Sequence, residues 1–392
     1  MCFEISLSLL ANTLTAPKMS KRPASPTSAP GALIKRSRAS PVPENQIAIS
    51  TGPDGKGKSL MRAVQRTSNL EAPIVSLAGA HSGEILSCRF DPTGQNIAAC
   101  STDRSVSLWR TYPPNNNYGL LTALAKAPIT DLQWSLTSPA IYTVSADHTL
   151  VATDVTTGQR LRKIRAHKEI VNSVDRVVAG SGAELVVTGS DDGVVRVWDA
   201  DAEGAGGRTP VVEFEVGCPV TAVCWSPDGA SVYAAALDNE IHIYDVRKGA
   251  QLSTLSGHTD TPTSLSISPN GNFLLSPSLS SQTIIHDIRP FAPSPTRVHR
   301  VLTGAPAGFE NTLLKGAWSK HEAGNKGLQV AVGGADRMVC VWEVESGRVL
   351  YKLPGHKGTV VGVDWHPLEP ILLTGSKDGT MLLGELEPGV GV

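Results

Sequence analysis

The chain has 392 residues, 41% hydrophobic and 18% charged, with a formal net charge of -1. That composition supplies a large core, and no stretch reaches the roughly 18 consecutive apolar residues of a spanning helix, so the sequence reads as a soluble protein without a membrane partner. Charge is uneven, with ten Lys/Arg against four Asp/Glu in residues 1–71 and 25 against 32 in the rest, which argues against phosphate binding over a whole face of the body but leaves room for local basic patches.

Taken in order, residues 1–71 are rich in Pro, Ser, Ala and Gly, show neither helical nor strand periodicity, and read as a disordered basic tail. Leu9-Leu10 sits in a short apolar run that follows Glu4 with no positive residue ahead of it, unlike a secretory segment. Lys21-Arg22 and, after twelve intervening residues, Lys35-Arg36-Ser37-Arg38 are spaced like a bipartite nuclear localisation signal, whose clusters fill two acidic grooves of an import receptor. The expected location is the nucleus.

Residues 72–392 are built from one repeated unit. Asp103, Asp147, Asp192, Asp238, Asp336 and Asp378 each precede by six residues a dipeptide resembling Trp-Asp, beginning at Trp109, Thr153, Trp198, Tyr244, Trp342 and Gly384; a seventh copy has Ser280 before His286-Asp287. The dipeptides are 44, 45, 46, 42, 56 and 42 residues apart, the period of a four-stranded propeller blade. Within a unit, period-two strands are separated by turns such as Asp91-Pro92-Thr93-Gly94, Ser226-Pro227-Asp228-Gly229 and Ser268-Pro269-Asn270-Gly271, where Pro presets the first turn dihedral. The expected fold is an all-β, seven-bladed propeller. Cys88, Cys224 and Cys340 fall inside apolar strands, and with Cys2, Cys100 and Cys218 they show no metal-ligand spacing, so all six read as reduced thiols.

This pattern resembles the WD-repeat family over residues 72–388. The resemblance implies that a His, a strand Ser/Thr, the turn Asp and the Trp form a hydrogen-bonded set tying strands together. His81, Ser101, Asp103 and Trp109 match it, as do His167, Ser190, Asp192 and Trp198; His356, Ser376 and Asp378 match without the Trp, and His258 faces Ser280. Copies two, four and six have Ala125, Val216 and Phe309 where the His belongs, and are expected to rely on packing and to be locally weaker. Pro73 to Ala78 resembles the amino-terminal strand that closes such rings by joining the last blade.

These His and Asp residues therefore have a structural role already, and there is no GxxxxGK[ST], HExxH or GxSxG motif. No catalytic, metal or cofactor site is expected; the expected activity is protein binding by loops on a rigid disc. Candidate contacts are Arg104, His148, Lys168, Asp260, Arg337 and Lys357 on one face, and Arg289 and Phe291 in an insertion from Arg289 to Phe309 within the 56-residue interval. Segments around that insertion, with Thr188 to Trp198 and Val349 to His356, resemble the WD-repeat proteins of the U5 small nuclear ribonucleoprotein. The resemblance implies a nuclear, non-catalytic scaffold in splicing that binds the large core splicing factor of the U5 particle and other spliceosomal proteins. It implies indirect contact with U5 small nuclear RNA and a monomer within a multiprotein complex. The rival reading is an adaptor of a ubiquitin ligase or chromatin complex.

Overall fold

The computed structural model describes residues 68–202, 206–292, 294–320 and 328–386, together with the backbone of 47–50 and 59–62. Lys21, Arg22, Lys35, Arg36, Arg38, Cys2 and the loop from His321 to Lys326 lie outside the described residues. In the amino-terminal unit, Ile47–Ser50 and Ser59–Arg62 pair antiparallel, with Ile47 opposite Arg62 and Ser50 opposite Ser59. The remaining sheets are seven, each of four antiparallel strands: a seven-bladed propeller.

The first blade shows the plan, with strands Ile85–Phe90, Asn96–Ser101, Val106–Arg110 and Asn117–Leu121 running in order from the axis to the rim. Inner and middle strands are almost wholly buried because both faces of a blade pack on neighbouring blades, whereas the rim strand is largely exposed. The core is thus a set of interblade clusters, such as Ala98, Leu108, Ile129, Leu132 and Ile141 between the first two blades. Consecutive antiparallel strands reverse direction, so turns between the second and third strands share one face of the disc with the connections between blades. Turns after the first and third strands lie on the other face.

Closure is made by the chain ends. Ile74–Leu77 pairs with Met381–Glu385 as the rim strand of the seventh blade, Leu77 opposite Met381. The expected strand from Pro73 to Ala78 is therefore present. Packing also extends before it: the Ser68 and Asn69 amides donate to Glu385 and Glu369 at 2.9 and 3.1 Å, and Leu70 is buried. The ordered body thus begins upstream of residue 72, within the stretch expected to be disordered.

The long interval is not one insertion. Its extra residues are split among the loop joining Gln282–Asp287 to Val298–Thr303, the connection from there to Gly316–Trp318, and the loop from there to Gln329–Gly333; the first and third belong to one face and the second to the other.

Candidate functional site

The hydrogen-bonded set behind the repeat forms with a different hydroxyl from the one expected. In the third blade, Trp198 Nε1 donates to Thr188 Oγ1 at 2.9 Å, Thr188 Oγ1 lies 2.8 Å from His167 Nε2, and His167 Nδ1 lies 3.1 Å from the Asp192 carboxylate. One proton arrangement satisfies the chain, with indole donating to hydroxyl, hydroxyl to Nε2, and Nδ1–H to carboxylate. Burial pushes the His167 pKa down to about 4 despite Asp192, which keeps the imidazole neutral. Ser190 instead accepts the Asp192 amide at 3.2 Å within the turn, as Ser101 does from Asp103 and Ser376 from Asp378, also at 3.2 Å. The reason is position along the strand: the two residues share a face, but the one two before the turn Asp stands at the strand end within reach of the turn amide, while the one four before it lies a further two residues in, level with the His and Trp.

Thr374 takes this position in the seventh blade, 2.8 Å from His356 Nε2. In the first blade it is Ala99, and the hydroxyl comes from Ser107, directly opposite Ala99 on the next strand: Ser107 Oγ lies 2.7 Å from His81 Nε2 and accepts Trp109 Nε1 at 2.9 Å. His81 Nδ1 lies 3.0 Å from Asp103. The fifth blade is the incomplete one. His258 Nε2 lies 2.7 Å from Ser276 Oγ, but Ser280 bonds Ser278 instead of the ring, leaving His258 Nδ1 and both nitrogens of buried His286 without partners among the described residues.

Blades lacking the His are not left to packing. Lys163 and Lys352, at the same register of the rim strand in the second and sixth blades, each place Nζ 3.3 Å from the turn carboxylates of Asp147 and Asp336. In the fourth blade His242, on the third strand itself, places Nε2 2.9 Å from Asp238. The expectation that these blades rely on packing therefore needs correcting, because each turn Asp finds a basic side chain on the third or fourth strand. Asp238, Glu240 and His242 are also the one group of clustered metal-ligand types among the described residues. Both His242 nitrogens are engaged, by Asp238 and by Gln251 at 3.1 Å, so the cluster is built as the turn set of its blade.

Inner strands line a central cavity of about 380 Å³ that includes Arg89, Asp131, Asp175, Arg176, Lys315, Lys320 and Asp364. Lys315 of the sixth blade pairs with Asp131 of the second, and Lys320 with Asp364 at 3.2 Å. Several carboxylates also accept an amide of the next blade's inner strand: Val174 donates to Asp131 at 3.2 Å, Trp225 to Asp175 and Phe90 to Asp364, both at 2.9 Å. Burial raises the Asp131 and Asp364 carboxyls, but the facing Lys and Arg charges more than reverse this and hold both below the ordinary range. Nearby Cys88 is pushed far up by burial. These groups are held as struts between blades, not tuned toward neutral pH for proton transfer.

Arg104, His148, Lys168, Asp260, Arg337 and Lys357 lie in turns and connections of one face; all are exposed except half-buried His148. Arg104, His148 and Arg337 follow the turn Asp with φ of 68°, 68° and 66°. Arg289 and Phe291 stand on the opposite face. Arg289 is committed to its own blade, bonding Asp287 at 2.5 and 2.9 Å and lying 5.7 Å from the Phe273 ring centre, whereas Phe291 is 95% exposed. An exposed aromatic that sequence reasoning did not single out as an anchor is Phe309, 105% exposed on the face of the six. Its loop is fixed to three blades: Ala307 N donates to Ser281 at 3.0 Å, Ala335 N to Pro306 O at 2.8 Å, and Lys377 Nζ to Glu310 at 2.6 Å. The available signal was Gly308-Phe309-Glu310 at a position where other copies carry His.

Comparison with known proteins agrees with this geometry. The family described as WD domain, G-beta repeat matches residues 72–110, 158–199 and 347–383, the copies in which a His meets a turn Asp; the anaphase-promoting complex subunit 4 WD40 domain matches 194–270. Pre-mRNA-splicing factor cwf17 of Schizosaccharomyces pombe is 37% identical over 94% of this chain and 100% of its own. The U5 small nuclear ribonucleoprotein 40 kDa protein of Dictyostelium discoideum is 38% identical over 88% of this chain and 93% of its own, and that of Homo sapiens 35% over 84% and 88%. The chain belongs to the U5 40 kDa family of WD-repeat proteins. Within this family fold, the turn sets and channel struts give the repeated His and Asp residues and the channel charges structural roles, which leaves the exposed loops as the surface available for recognition.

Proposed function

We propose that the protein is a non-catalytic scaffold of pre-mRNA splicing in the nucleus, binding the large core splicing factor of the U5 particle, with U5 small nuclear RNA contacted through its protein partners. The observation that carries this is similarity along nearly the whole chain to proteins named as a splicing factor and as U5 particle components. The face bearing Phe309, Arg104, Arg337 and Lys357 is the docking surface, because a fully exposed aromatic on a braced loop loses little conformational entropy on burial and is the kind of anchor that dominates interface energy. The stretch ahead of Ser68 carries the basic address segment, and Lys21, Arg22, Lys35, Arg36 and Arg38 direct import. Ala at those five positions in a fluorescent fusion should abolish nuclear accumulation.

Purification of the tagged chain from nuclear extract tests the assignment. Enrichment of U5 RNA and the giant core factor is expected, and Phe309→Ser should reduce recovery of the factor without altering thermal stability. Stable recovery of a ubiquitin ligase or chromatin complex in their place would overturn the function and leave the propeller standing. Phe291→Ala, with melting and recovery both unchanged, would remove the opposite face from the contact.

A further inference from the structure

The rim strand of the second blade, Arg160–Arg165, reads RLRKIR, and Lys168 follows in the connection to the third blade. Other rim strands read NYGLL, VEFE, AQLSTL, VHRVLT, VLYKL and IVSL, so this density of cations belongs to one blade of a body that is otherwise acidic. The cations divide into two groups. Arg162 is used by the fold, donating to the Asp199 and Ala202 carbonyls at 2.9 and 3.2 Å, and so is Lys163, which bonds the Leu124 carbonyl at 3.1 Å and Asp147 at 3.3 Å. The side chains of Arg160, Arg165 and Lys168 are exposed and have no hydrogen bond or ion pair among the described residues.

A fourth free cation joins them. Arg165 pairs with Thr149 at the end of the turn holding Asp147 and His148; the Ala166 amide donates to the His148 carbonyl at 2.9 Å, and the Lys126 amide to Asp147 at 2.9 Å. Those contacts set Lys126 and Arg165 beside the Asp147 turn, Lys168 follows three residues on, where its amide donates to Asp192 of the third blade at 3.0 Å, and Arg160 continues the line along the strand. Facing acids are accounted for: Asp147 is filled by Ser145, Thr149, Lys163 and the Lys126 amide, and Asp192 by His167 and the Lys168 amide, while Glu169 is the exposed carboxylate beside Lys168.

We propose that this rim is a sequence-independent binding site for the phosphate backbone of single-stranded RNA, a direct contact in addition to the protein-mediated one above and independent of it. Two arginines and two lysines form a line of unneutralised positive charge, matching a chain with one phosphate per nucleotide. No aromatic stacking platform interrupts the strand, so the backbone, not the bases, is what it recognises. An acidic peptide adding to the strand edge fits less well. Because a bulge sets Thr153 opposite Arg160 and Ala152 opposite Arg162, its alternate side chains would meet Arg160, Lys163 and Arg165 on one side and Arg162 and Ile164 on the other, and with Lys163 and Arg162 already engaged it finds two free cations on one side and none on the other, and misses Lys126 and Lys168 in the connections. A phosphate chain crossing the rim reaches all four.

The test uses the full chain and a fluorescein-labelled oligouridylate of 20 nucleotides, followed by fluorescence anisotropy across a salt series. The basic tail is present in every variant, so differences report the rim. Arg160→Gln, Arg165→Gln and Lys168→Gln together should weaken binding at least tenfold in low salt and reduce the slope of log affinity against log salt by about 2, from roughly 0.7 per phosphate contact. A control that removes Arg247, Lys248 and Arg348 in the same way should leave both unchanged, and matched melting curves exclude unfolding. Absence of RNA binding by the native chain, equal losses in rim and control variants, or a polyglutamate peptide that outcompetes the RNA at the rim would overturn the proposal.

Discussion

Replacing Ser280 by Asp should stabilise the fifth blade. In the first, third and seventh blades the carboxylate at this position accepts the amide of the residue after the His, from Ser82 at 3.1 Å, Lys168 at 3.0 Å and Lys357 at 2.7 Å. It also accepts the amide two residues on, from Ser105 at 3.0 Å, Val194 at 3.2 Å and Thr380 at 2.9 Å, and lies 3.0 to 3.5 Å from the His Nδ1. His258 has the same burial with its Nδ1 unpartnered. Three hydrogen bonds to a carboxylate are worth about 1.5–3 kcal/mol each, against several kcal/mol for taking the charge out of water, so the net gain should be about 1–2 kcal/mol. Amide hydrogen exchange over the strands Phe273–Pro277 and Gln282–Asp287 should slow by about 5- to 30-fold, the factor corresponding to that energy. The His258 pKa, held near 4 by burial, should rise. Exchange unchanged or faster in the Asp variant would refute the claim that this turn carboxylate stabilises a blade.

Thr188→Val removes the hydroxyl shared by His167 and Trp198 and should cost about 2–4 kcal/mol in urea unfolding, while Ser190→Ala should cost under about 1 kcal/mol; the reverse order would restore Ser190 to the set. Acid should destabilise the propeller from near pH 6.5 downward. His167 and His258 have folded pKa values of about 4 and His286 of about 3, so between 6.5 and those values the unfolded chain takes protons that the folded one refuses. Each such His removes about 1.4 kcal/mol per pH unit, and His286→Phe should flatten the measured slope by one proton's worth. Leu77→Ala, at a side chain 2% exposed in the closing strand, should cost about 2–4 kcal/mol; a loss no larger than that of an exposed rim residue would refute closure through this strand.

The seven blades, the amino-terminal closing strand and the turn aspartates were legible in the sequence. Strand alternation, turn chemistry and a fixed spacing are local properties that each repeat restates, so one weak copy such as Ser280 or Gly384 does not hide the period. The hydroxyl partners were not legible. Ser101 and Ser190 are nearer the Asp in sequence, but whether Ser107 or Thr188 reaches the His depends on which residues stand opposite each other across paired strands. The replacement partners Lys163, His242 and Lys352 were hidden for the same reason: they come from the third and fourth strands, not from the connection between blades that carries the His elsewhere. The sequence by itself determined the repeat, its number and its closure, because those follow from short-range pattern. Only the tertiary structure decided how Asp131 meets Lys315 across the channel, how the long interval divides between two faces, and where Phe309 and the free rim cations are displayed, because contacts between residues of different blades are set by packing the whole ring.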